Sequence, residues 1–489
     1  MRQAFPLDAL VLDRTRGEPL HRQLYRALGQ LIKERGLPAG SELPSTRSLA
    51  TDLGVARNTV VAAYDQLITE GYLLNRAGAR PIVVLLPGGS AAQMQAATEP
   101  SGRALSRRGE IMMCQPVHHG QTGQVAFHPG MPDSGSFPFG VWSRLLARRA
   151  NHAGDTLFGT YDVVGHPALR EAIATYLRAA RGVHCAADQI VITTGAQAAF
   201  DLLARLLLDP GDSVWMEEPG YFGAQSAFTC AGANLIPLGV SIEGWQLDPP
   251  SPRPRLIYVT PACQHPLGAT MRMEQRMRLL EIAGQLNAWV IEDDFDGEYR
   301  FQGRPIPAMQ GSDPSGRVIY VGTFAKTLFP ALRLGFMVVP PILGPRISHA
   351  LSTTGQFAPL LLQAALADFI NEGLMSRHLK RMRRIYASRR QRFQELCTAN
   401  LSQRLTLLPG DTGIQIVGVL AEGLDDLAVT SAAQRLGVNL APLSKYYRHG
   451  NPRQGLVLGY AACDDGQMTR GVRTLRKAID ASIQTQPAR

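Results

Sequence analysis

The chain has 489 residues, of which 45% are hydrophobic and 18% are charged. This composition is ordinary for a globular protein of about three domains, and it excludes a disordered, collagen-like or coiled-coil chain. Lys and Arg outnumber Asp and Glu by 50 to 40, which gives a formal net charge of +10. A basic balance of this size favours a polyanionic partner, either nucleic acid or anionic lipid.

The six cysteines are scattered through the chain, without a Cys-x-x-Cys pair or metal-ligand spacing. This usage indicates a reducing compartment and no metal site. The N-terminal sequence lacks the apolar run of a signal peptide, and Gly, Pro and polar residues interrupt the long uncharged stretches 219–242 and 347–367. We therefore expect a soluble, cytoplasmic protein that does not associate with a membrane.

The first 86 residues are predicted to form a small domain. Apolar residues at helical spacing predict a helix within 19–36, a short helix within 45–53 and, after a glycine turn, a third helix over about 57–70. The last two match the helix-turn-helix pattern. The strand-like segments 72–74 and 82–86 follow them and would form a β-wing.

The rest of the chain divides into three parts. Residues 87–123 lack apolar periodicity and are rich in small and polar residues, which predicts a flexible linker with a reach of roughly 35 Å. In 124–344, apolar strands alternate with helices, which predicts an α/β domain with a mostly parallel sheet covered on both faces. Residues 345–489 are more helical and are predicted to form a smaller α+β domain.

The most informative segment is Gly322-Thr323-Phe324-Ala325-Lys326, which continues through TLFPALRLGF and places Arg333 seven residues after Lys326. Asp293 ends the apolar strand WVIED upstream. The turn Thr193-Thr194-Gly195-Ala196-Gln197 lies between a strand and a helix, and Tyr221 lies in EEPGYFG. Each feature alone also has a purely structural explanation. The lysine could be a solvated surface charge, the aspartate a strand-end cap, and the glycine-containing turn an ordinary α/β turn.

Together, in this order and spacing, these residues resemble the fold-type-I aminotransferases, which hold pyridoxal 5′-phosphate. The resemblance implies that Lys326 forms a Schiff base with the cofactor and that Asp293 keeps the pyridine nitrogen protonated. It also implies that backbone N–H groups at a helix start bind the phosphate and that a tyrosine stacks on the ring. The implied cofactor-binding residues are Lys326, Asp293, Tyr221, Arg333, Gly195, Ala196, Gln197, Thr323 and His265.

Combined with the helix-turn-helix, the chain resembles the MocR/GabR-type regulators, in which a GntR-type winged helix is joined by a linker to an aminotransferase-like domain. The resemblance covers nearly the whole chain, and its most specific parts are LPSTRSLATDLGVARNTV and VIEDDFDGEYR…RVIYVGTFAKTLFPALRLG. It implies a homodimeric regulator that binds pyridoxal 5′-phosphate and double-stranded DNA and senses a small molecule, either vitamin B6 itself or an amino compound. The alternatives are an active aminotransferase with an accessory DNA-binding domain, and a DNA-binding protein whose aminotransferase-like part is only a dimerisation scaffold.

Five positions of the aminotransferase-like part depart from the family pattern. Phe295 replaces a tyrosine near the cofactor O3′, Ala325 replaces a serine, Cys263 replaces a histidine, and His265 lies where aminotransferases carry an asparagine. Val457 lies where working aminotransferases have the arginine that grips the substrate carboxylate. The missing bidentate clamp removes both positioning and affinity, which argues against efficient transamination.

The DNA contacts follow from helix-turn-helix geometry. The N-terminal residues of the second helix meet base edges in the major groove, while the preceding helix and the wing contact phosphates. The base contacts predicted here are Arg57, Asn58 and Thr59, and the phosphate contacts are Arg47, Arg76 and Arg80. The alternative for any one of them is a solvated helix face. Ala56 replaces the family's usual serine at the start of the recognition helix.

A second basic run lies far from the winged helix and contains no acidic residue between its ends. It comprises Arg377, Lys380, Arg381, Arg383, Arg384, Arg389, Arg390 and Arg392. Two interpretations of this basic run stay open. It could form a solvated helix with some structural ion pairs, or it could form an auxiliary DNA-contacting surface. The second interpretation predicts that replacing Arg381, Arg384 and Arg389 with Gln weakens binding to long operators and flattens its salt dependence.

Overall fold

The structure is a computed structural model that describes residues 7, 10, 12–15, 17–33, 37–75, 80–84, 105–115, 126–152, 154–248, 252–303 and 306–484. The chain divides into two compact units, residues 1–104 and 105–489. Within the described ranges, none of the helices combines the length and the apolar character that a membrane span requires.

The N-terminal unit contains the predicted winged helix-turn-helix. Its elements are α1 (Leu20–Lys33), α2 (Thr46–Asp52), α3 (Arg57–Thr69), β1 (Leu73–Leu74) and β2 (Ile82–Val83). The hydroxyl of Ser45 caps α2 by accepting a hydrogen bond from the Ser48 N–H at 3.2 Å. Leu28 of α1 and Val60, Tyr64 and Leu67 of α3 are buried in one core. The strands β1 and β2 pair antiparallel as the wing.

The start of α3 lacks a side-chain cap because Ala56 occupies the N-cap position. We expect Ala56→Thr to stabilise the N-terminal unit by about 1 kcal/mol, since a hydroxyl there accepts a backbone N–H of the first turn. Ala56→Val has nearly the same shape without the hydroxyl and is expected to give no such gain. Urea unfolding of the two variants measures the difference, and equal midpoints would contradict the capping argument.

The C-terminal unit is built on an eight-stranded sheet in the order β3-β10-β9-β8-β7-β4-β5-β6, counted over the described residues. Strands β3 to β10 are, in chain order, Ile190–Thr193, Ser213–Glu218, Asn234–Ser241, Gly244–Trp245, Leu256–Val259, Trp289–Asp294, Val318–Thr323 and Gly335–Val338. The central strands are parallel, as predicted, whereas β10 runs antiparallel to both of its neighbours, β3 and β9. Alternate residues of β9 enter different hydrophobic clusters, so the sheet is buried on both faces.

Helices cover this sheet and lead into the last part of the chain. Helices α4 to α10 are Arg107–Met113, Phe139–His152, Gly154–Phe158, Pro167–Arg181, Ala196–Leu207, Phe222–Cys230 and Met273–Leu286. Helix α4 lies inside the segment 87–123, for which the sequence predicted no secondary structure. It forms because Ser106 caps it, accepting from the Gly109 N–H at 3.1 Å, and it packs against α9.

The last part of the chain has the predicted α+β character. Its antiparallel sheet has the order β11-β12-β14-β13, with strands Leu405–Leu407 (β11), Gln415–Leu420 (β12), Ala441–Pro442 (β13) and Gly455–Gly459 (β14). Helices α11 to α15 are Gly344–Thr354, Leu360–Asn371, Leu374–Leu401, Asp426–Arg435 and Asp465–Gln484. The 28-residue α13 contains the basic run.

Candidate functional site

A cavity of about 500 Å³ lies at the carboxyl ends of the parallel strands, where open α/β sheets bind their ligands. All nine residues that the sequence assigned to the cofactor line this one cavity. Eight of them lie at or after the ends of β3, β4, β7, β8 and β9, which all run in the same direction, and Arg333 lies just before the antiparallel β10. The cavity is also lined by Gly130, Phe295, Asp296, Ala325, Pro330, Leu334 and Gln415.

Lys326 follows β9 and points its amine into the cavity. Its Nζ donates to the carbonyl oxygen of Gly130 at 2.5 Å. A Cβ on Gly130 would lie 2.6 Å from that Nζ and would displace the amine, and the φ of +65° at this position also favours glycine. Burial lowers the pKa of Lys326 below its ordinary value, although the negative charges of Asp296 and Asp293 act to raise it. The neutral amine that this favours is the nucleophilic form.

Asp293 lies near the end of β8, and only one of its two carboxylate oxygens has a hydrogen-bond partner among the described residues. Its Oδ2 accepts a hydrogen bond from the Tyr258 hydroxyl at 2.6 Å, and its buried Oδ1 has no hydrogen-bond partner among the described residues. Burial raises the pKa of Asp293 to about 7, although the hydrogen bond from Tyr258 opposes the shift. An N–H⁺ group of a bound ring would donate the hydrogen bond that Oδ1 lacks, and a pyridinium nitrogen is such a group.

The start of α8 forms an anion cradle. Gly195 is the N-cap, in a backbone conformation with φ +102° that favours glycine. The following N–H groups, of Ala196 and Gln197, have no partner within the helix. The Arg333 guanidinium carbon lies 3.7 Å from where a Gly195 Cβ would be. Helix N–H groups and a guanidinium fit a phosphate.

His265 is half-buried in the cavity wall. The rings of Tyr221, Phe295 and Tyr446 contact it edge-on, with centroids 5.3, 5.4 and 5.4 Å away. Burial, with the charge of Lys326, lowers its pKa to about 3, so the imidazole is neutral. Phe295 thus fills the place of the missing phenol with an aromatic contact to His265.

Two of the departures lie outside the cavity lining. Cys263 is buried, and burial raises the pKa of its thiol. Val457 lies on β14 opposite Val417 and is buried in a hydrophobic cluster. Among the described residues that line the cavity, Arg333 carries the only guanidinium, and it lies beside Gly195 at the start of α8.

Sequence analysis did not single out Asp296 and Gln415. Asp296 belongs to the quoted stretch VIEDDFDGEYR, so the sequence signal was present. Gln415 lies at the start of β12, far along the chain, and only folding brings it beside Lys326. Its Nε2 lies 3.4 Å from His265 Nδ1.

The candidate DNA contacts lie in the N-terminal unit. Arg47, Arg57, Asn58 and Arg80 are exposed, and Thr59 is half-buried. Arg47 and Arg57 line the same shallow concavity, and Arg57 Nε donates to the Thr46 hydroxyl at 3.4 Å. The last predicted contact, Arg76, lies outside the described residues.

Several arginines of the basic run in α13 contact protein groups. The carbonyl oxygens of Ser136 and Gly410 accept from Arg381 and Arg390. Arg383 Nε donates to the Glu298 carbonyl at 2.6 Å, and Arg389 pairs with Asp133 at 2.9 Å. These contacts fit the structural interpretation of the run. Auxiliary DNA binding stays a prediction, best tested at the exposed Lys380 and Arg384.

We expect the double variant Lys380→Gln/Arg384→Gln to weaken binding to long operators and to flatten the slope of log K against log salt by about 0.9 per lost phosphate contact. Arg392→Gln is the control, since Arg392 lies near Glu395 (3.6 Å) in the same helix. Fluorescence anisotropy across a salt series measures both quantities. Wild-type affinity and slope in the double variant would mean that the helix is only solvated.

Comparisons with known proteins agree with both units. Residues 133–475 match the family "Aminotransferase class I and II", and residues 20–83 match "Bacterial regulatory proteins, gntR family". The fold superposes on LysN, the alpha-aminoadipate aminotransferase of Thermus thermophilus solved with N-(5′-phosphopyridoxyl)-L-leucine. The TM-score is 0.69 at 27% identity, over 74% of this chain and 93% of that chain. Fold and sites together define a transcriptional regulator with a GntR-type winged helix and a fold-type-I aminotransferase-like domain.

Two regulators are similar over nearly the full length. The probable rhizopine catabolism regulatory protein MocR of Rhizobium meliloti is 51% identical over 96% of both chains. The HTH-type pyridoxine biosynthesis transcriptional regulator PdxR of Corynebacterium glutamicum is 29% identical over 91% of this chain and 92% of its own. The chain belongs to the MocR-type transcriptional regulators.

Proposed function

We propose that the chain binds pyridoxal 5′-phosphate through Lys326, senses a small molecule at the same cavity, and thereby changes the affinity of its winged helix for an operator in the cytoplasm. In this scheme residues 1–86 bind DNA and 87–123 connect the domains. Residues 124–344 hold the cofactor, and 345–489 form the smaller domain beside it.

The observation that carries this proposal is the joint lining of one cavity by the Lys326 amine, the unpartnered Oδ1 of Asp293 and the anion cradle at Gly195. When bound, pyridoxal 5′-phosphate supplies an aldehyde that reacts with amines and a ring that withdraws electrons. Lys326 would hold the aldehyde carbon, Asp293 the ring nitrogen, and Arg333 with the first turn of α8 the phosphate.

The proposal is tested by measuring operator affinity of the full chain with and without pyridoxal 5′-phosphate. We expect the cofactor to change the affinity and to add a visible absorbance band to the protein. An affinity that is the same in both states, with the band present, would favour the scaffold alternative. Absence of the band would overturn cofactor binding itself.

The second candidate function is transamination by the same cavity. It requires a positive group for the substrate carboxylate, and Val457 supplies none. We therefore expect no sustained turnover of common amino acid and keto acid pairs by the loaded protein. Steady formation of keto acid, followed by coupled absorbance, would overturn a purely regulatory role.

We further propose that the protein acts as a homodimer, because C₂ symmetry would match two half-sites on DNA. Light scattering of the full chain measures this, and a monomer at micromolar concentration would contradict it. Two effectors are proposed: vitamin B6 itself, which the name of the pyridoxine biosynthesis regulator supports, and an amino compound, which the amine-reactive aldehyde of the cofactor supports.

Base and phosphate contacts give different expected results in the winged helix. Arg57→Ala is expected to cost about 1–3 kcal/mol of operator affinity and to relax specificity at one base position. Arg47→Ala is expected to weaken operator and random DNA alike and to reduce the salt slope by about 0.9. Anisotropy titrations with both DNAs separate the two. Equal losses of specificity in both variants would contradict the assignment.

A further inference from the structure

A single buried carboxylate joins the two chain segments that carry aromatic rings into one side of the cavity. Tyr221 follows strand β4 and His265 follows strand β7, and both residues line the cavity. Their rings are in edge-on contact, with centroids 5.3 Å apart. Glu217, near the end of β4, is fully buried and is not among the described residues that line the cavity. The proposed cofactor contacts do not include it.

Each oxygen of the Glu217 carboxylate accepts two hydrogen bonds. Its Oε1 accepts from the indole N–H of Trp245 at 2.7 Å and from the Thr260 N–H at 2.8 Å. Its Oε2 accepts from the Thr260 hydroxyl at 2.5 Å and from the side-chain amide of Gln264 at 3.2 Å. Three of the four donors thus belong to Thr260 and Gln264, which precede His265 in the chain. The carboxylate therefore fixes this part of the chain to the end of β4.

The same network reaches the backbone beside both rings. The single hydrogen of the Thr260 hydroxyl is donated to Glu217, so the oxygen accepts the His265 N–H with a lone pair, at 3.1 Å. The side-chain amide of Gln264 also donates to the carbonyl oxygens of Pro219 and His265, at 2.7 and 2.8 Å. Pro219 lies between β4 and α9, on the segment that carries the other ring. One buried network therefore holds the chain on both sides of the ring contact.

We infer that Glu217 is a positioning residue of the cavity: it sets the relative placement of the Tyr221 and His265 rings and thereby the contacts that these rings make with a bound cofactor. Buried networks in which every hydrogen bond is made specify one arrangement of their side chains. The inference rests on the proposed function for its effect on the cofactor, whereas the placement of the rings is a property of the chain itself.

Glu217→Gln keeps the shape of the side chain but cannot satisfy all four donors. With its amide nitrogen at the place of Oε2, the new side chain faces the amide nitrogen of Gln264, donor against donor. With the nitrogen at the place of Oε1, it faces the N–H groups of Trp245 and Thr260, which also only donate. Either orientation leaves a buried donor without an acceptor, which releases the segment before His265.

The ionisation of Glu217 fixes the conditions of the test. Burial raises the pKa of Glu217 to about 7, although the hydrogen bonds from Thr260, Trp245 and Gln264 oppose the shift. At about pH 8.5 the wild-type carboxyl is therefore ionised and acts only as an acceptor.

The full chain is titrated at this pH with pyridoxal 5′-phosphate, and the visible absorbance band gives the affinity. We expect Glu217→Gln to weaken the cofactor about tenfold. Thr260→Val removes the hydroxyl that links Glu217 to His265 and is expected to have a similar effect, whereas Thr260→Ser keeps the hydroxyl and should bind as the wild type does. Crystal structures of the cofactor-free variants are expected to show the His265 ring displaced from Tyr221 in Glu217→Gln and Thr260→Val only.

Asp313→Asn is the matched control. The Asp313 carboxylate also accepts two hydrogen bonds at each oxygen, from the N–H and hydroxyl of Ser315 and from the N–H groups of Arg317 and Val318. It lies before β9, at the opposite end of this strand from Lys326. We therefore expect this variant to keep the cofactor affinity of the wild type.

Wild-type affinity in both Glu217→Gln and Thr260→Val, or rings that keep their placement in the crystals, would overturn the inference. An equal loss of affinity in Asp313→Asn would overturn it too, because the effect would then follow from any lost carboxylate. If Glu217→Gln does not fold, the comparison of Thr260→Val with Thr260→Ser decides. If the wild type lacks the band, the proposed function fails, and the cofactor-free crystal structures still decide whether Glu217 places the rings.

Discussion

Lys326→Ala is expected to abolish the visible absorbance band of the loaded protein and to remove every effect of pyridoxal 5′-phosphate on DNA binding. The reason is that the cavity wall holds one amine, Lys326 Nζ, among its described residues. Its hydrogen bond to Gly130 keeps the amine inside the cavity. Absorbance spectroscopy and gel-shift titrations of the full chain measure the two effects on one sample.

Lys326→Arg serves as the control for charge. A guanidinium keeps the positive charge but does not act as a nucleophile, so this variant is also expected to lack the band. Both variants should bind operator as the cofactor-free wild type does, because the candidate DNA contacts lie in the N-terminal unit. A band that survives in Lys326→Ala would assign the cofactor to another amine, and a loss of cofactor-free DNA binding would give Lys326 a structural role instead.

The sequence predicted the elements whose determinants are local. The helix predicted over about 57–70 is α3 (Arg57–Thr69) in the structure, because apolar spacing within one helix defines its buried face. The Ser45 cap and the buried strand before Lys326 are likewise encoded within a few neighbouring residues. The nine candidate cofactor residues were implied by the resemblance to aminotransferases rather than by local patterns. They meet in one cavity because parallel strands bring their carboxyl ends to one edge.

The features of the fold and of the cavity that the sequence did not predict depend on contacts between distant segments. The direction of β10 is fixed by pairing with β3 and β9 on either side of it, which no local pattern reports. Gln415 enters the cavity only because β12 is brought against the strand ends, and a strand-forming segment gives no sign of which residue will do so. Gly130 resembles any turn glycine until the amine of Lys326 is placed beside it.

Arg181→Met is expected to destabilise the folded C-terminal unit by about 3–5 kcal/mol, because it leaves a buried carboxylate without its charge partner. The side chains of Arg181 and Asp294 are 4% and 2% exposed. Arg181 Nε donates to Asp294 Oδ2 at 2.8 Å, and the Tyr320 hydroxyl donates to the same oxygen at 2.6 Å. Since Asp294 follows Asp293 directly, the same change should also disturb the Asp293 carboxylate, which lines the cavity.

Two comparisons separate this electrostatic cause from lost packing. The double variant Arg181→Met/Asp294→Leu removes both charges and should recover most of the loss. Arg205→Met breaks an exposed pair with Asp201 (3.0 Å) and should cost no more than about 1 kcal/mol.

Urea unfolding of the three variants measures these differences. A deficit that persists in the double variant would mean that Arg181 contributes through packing rather than through its charge.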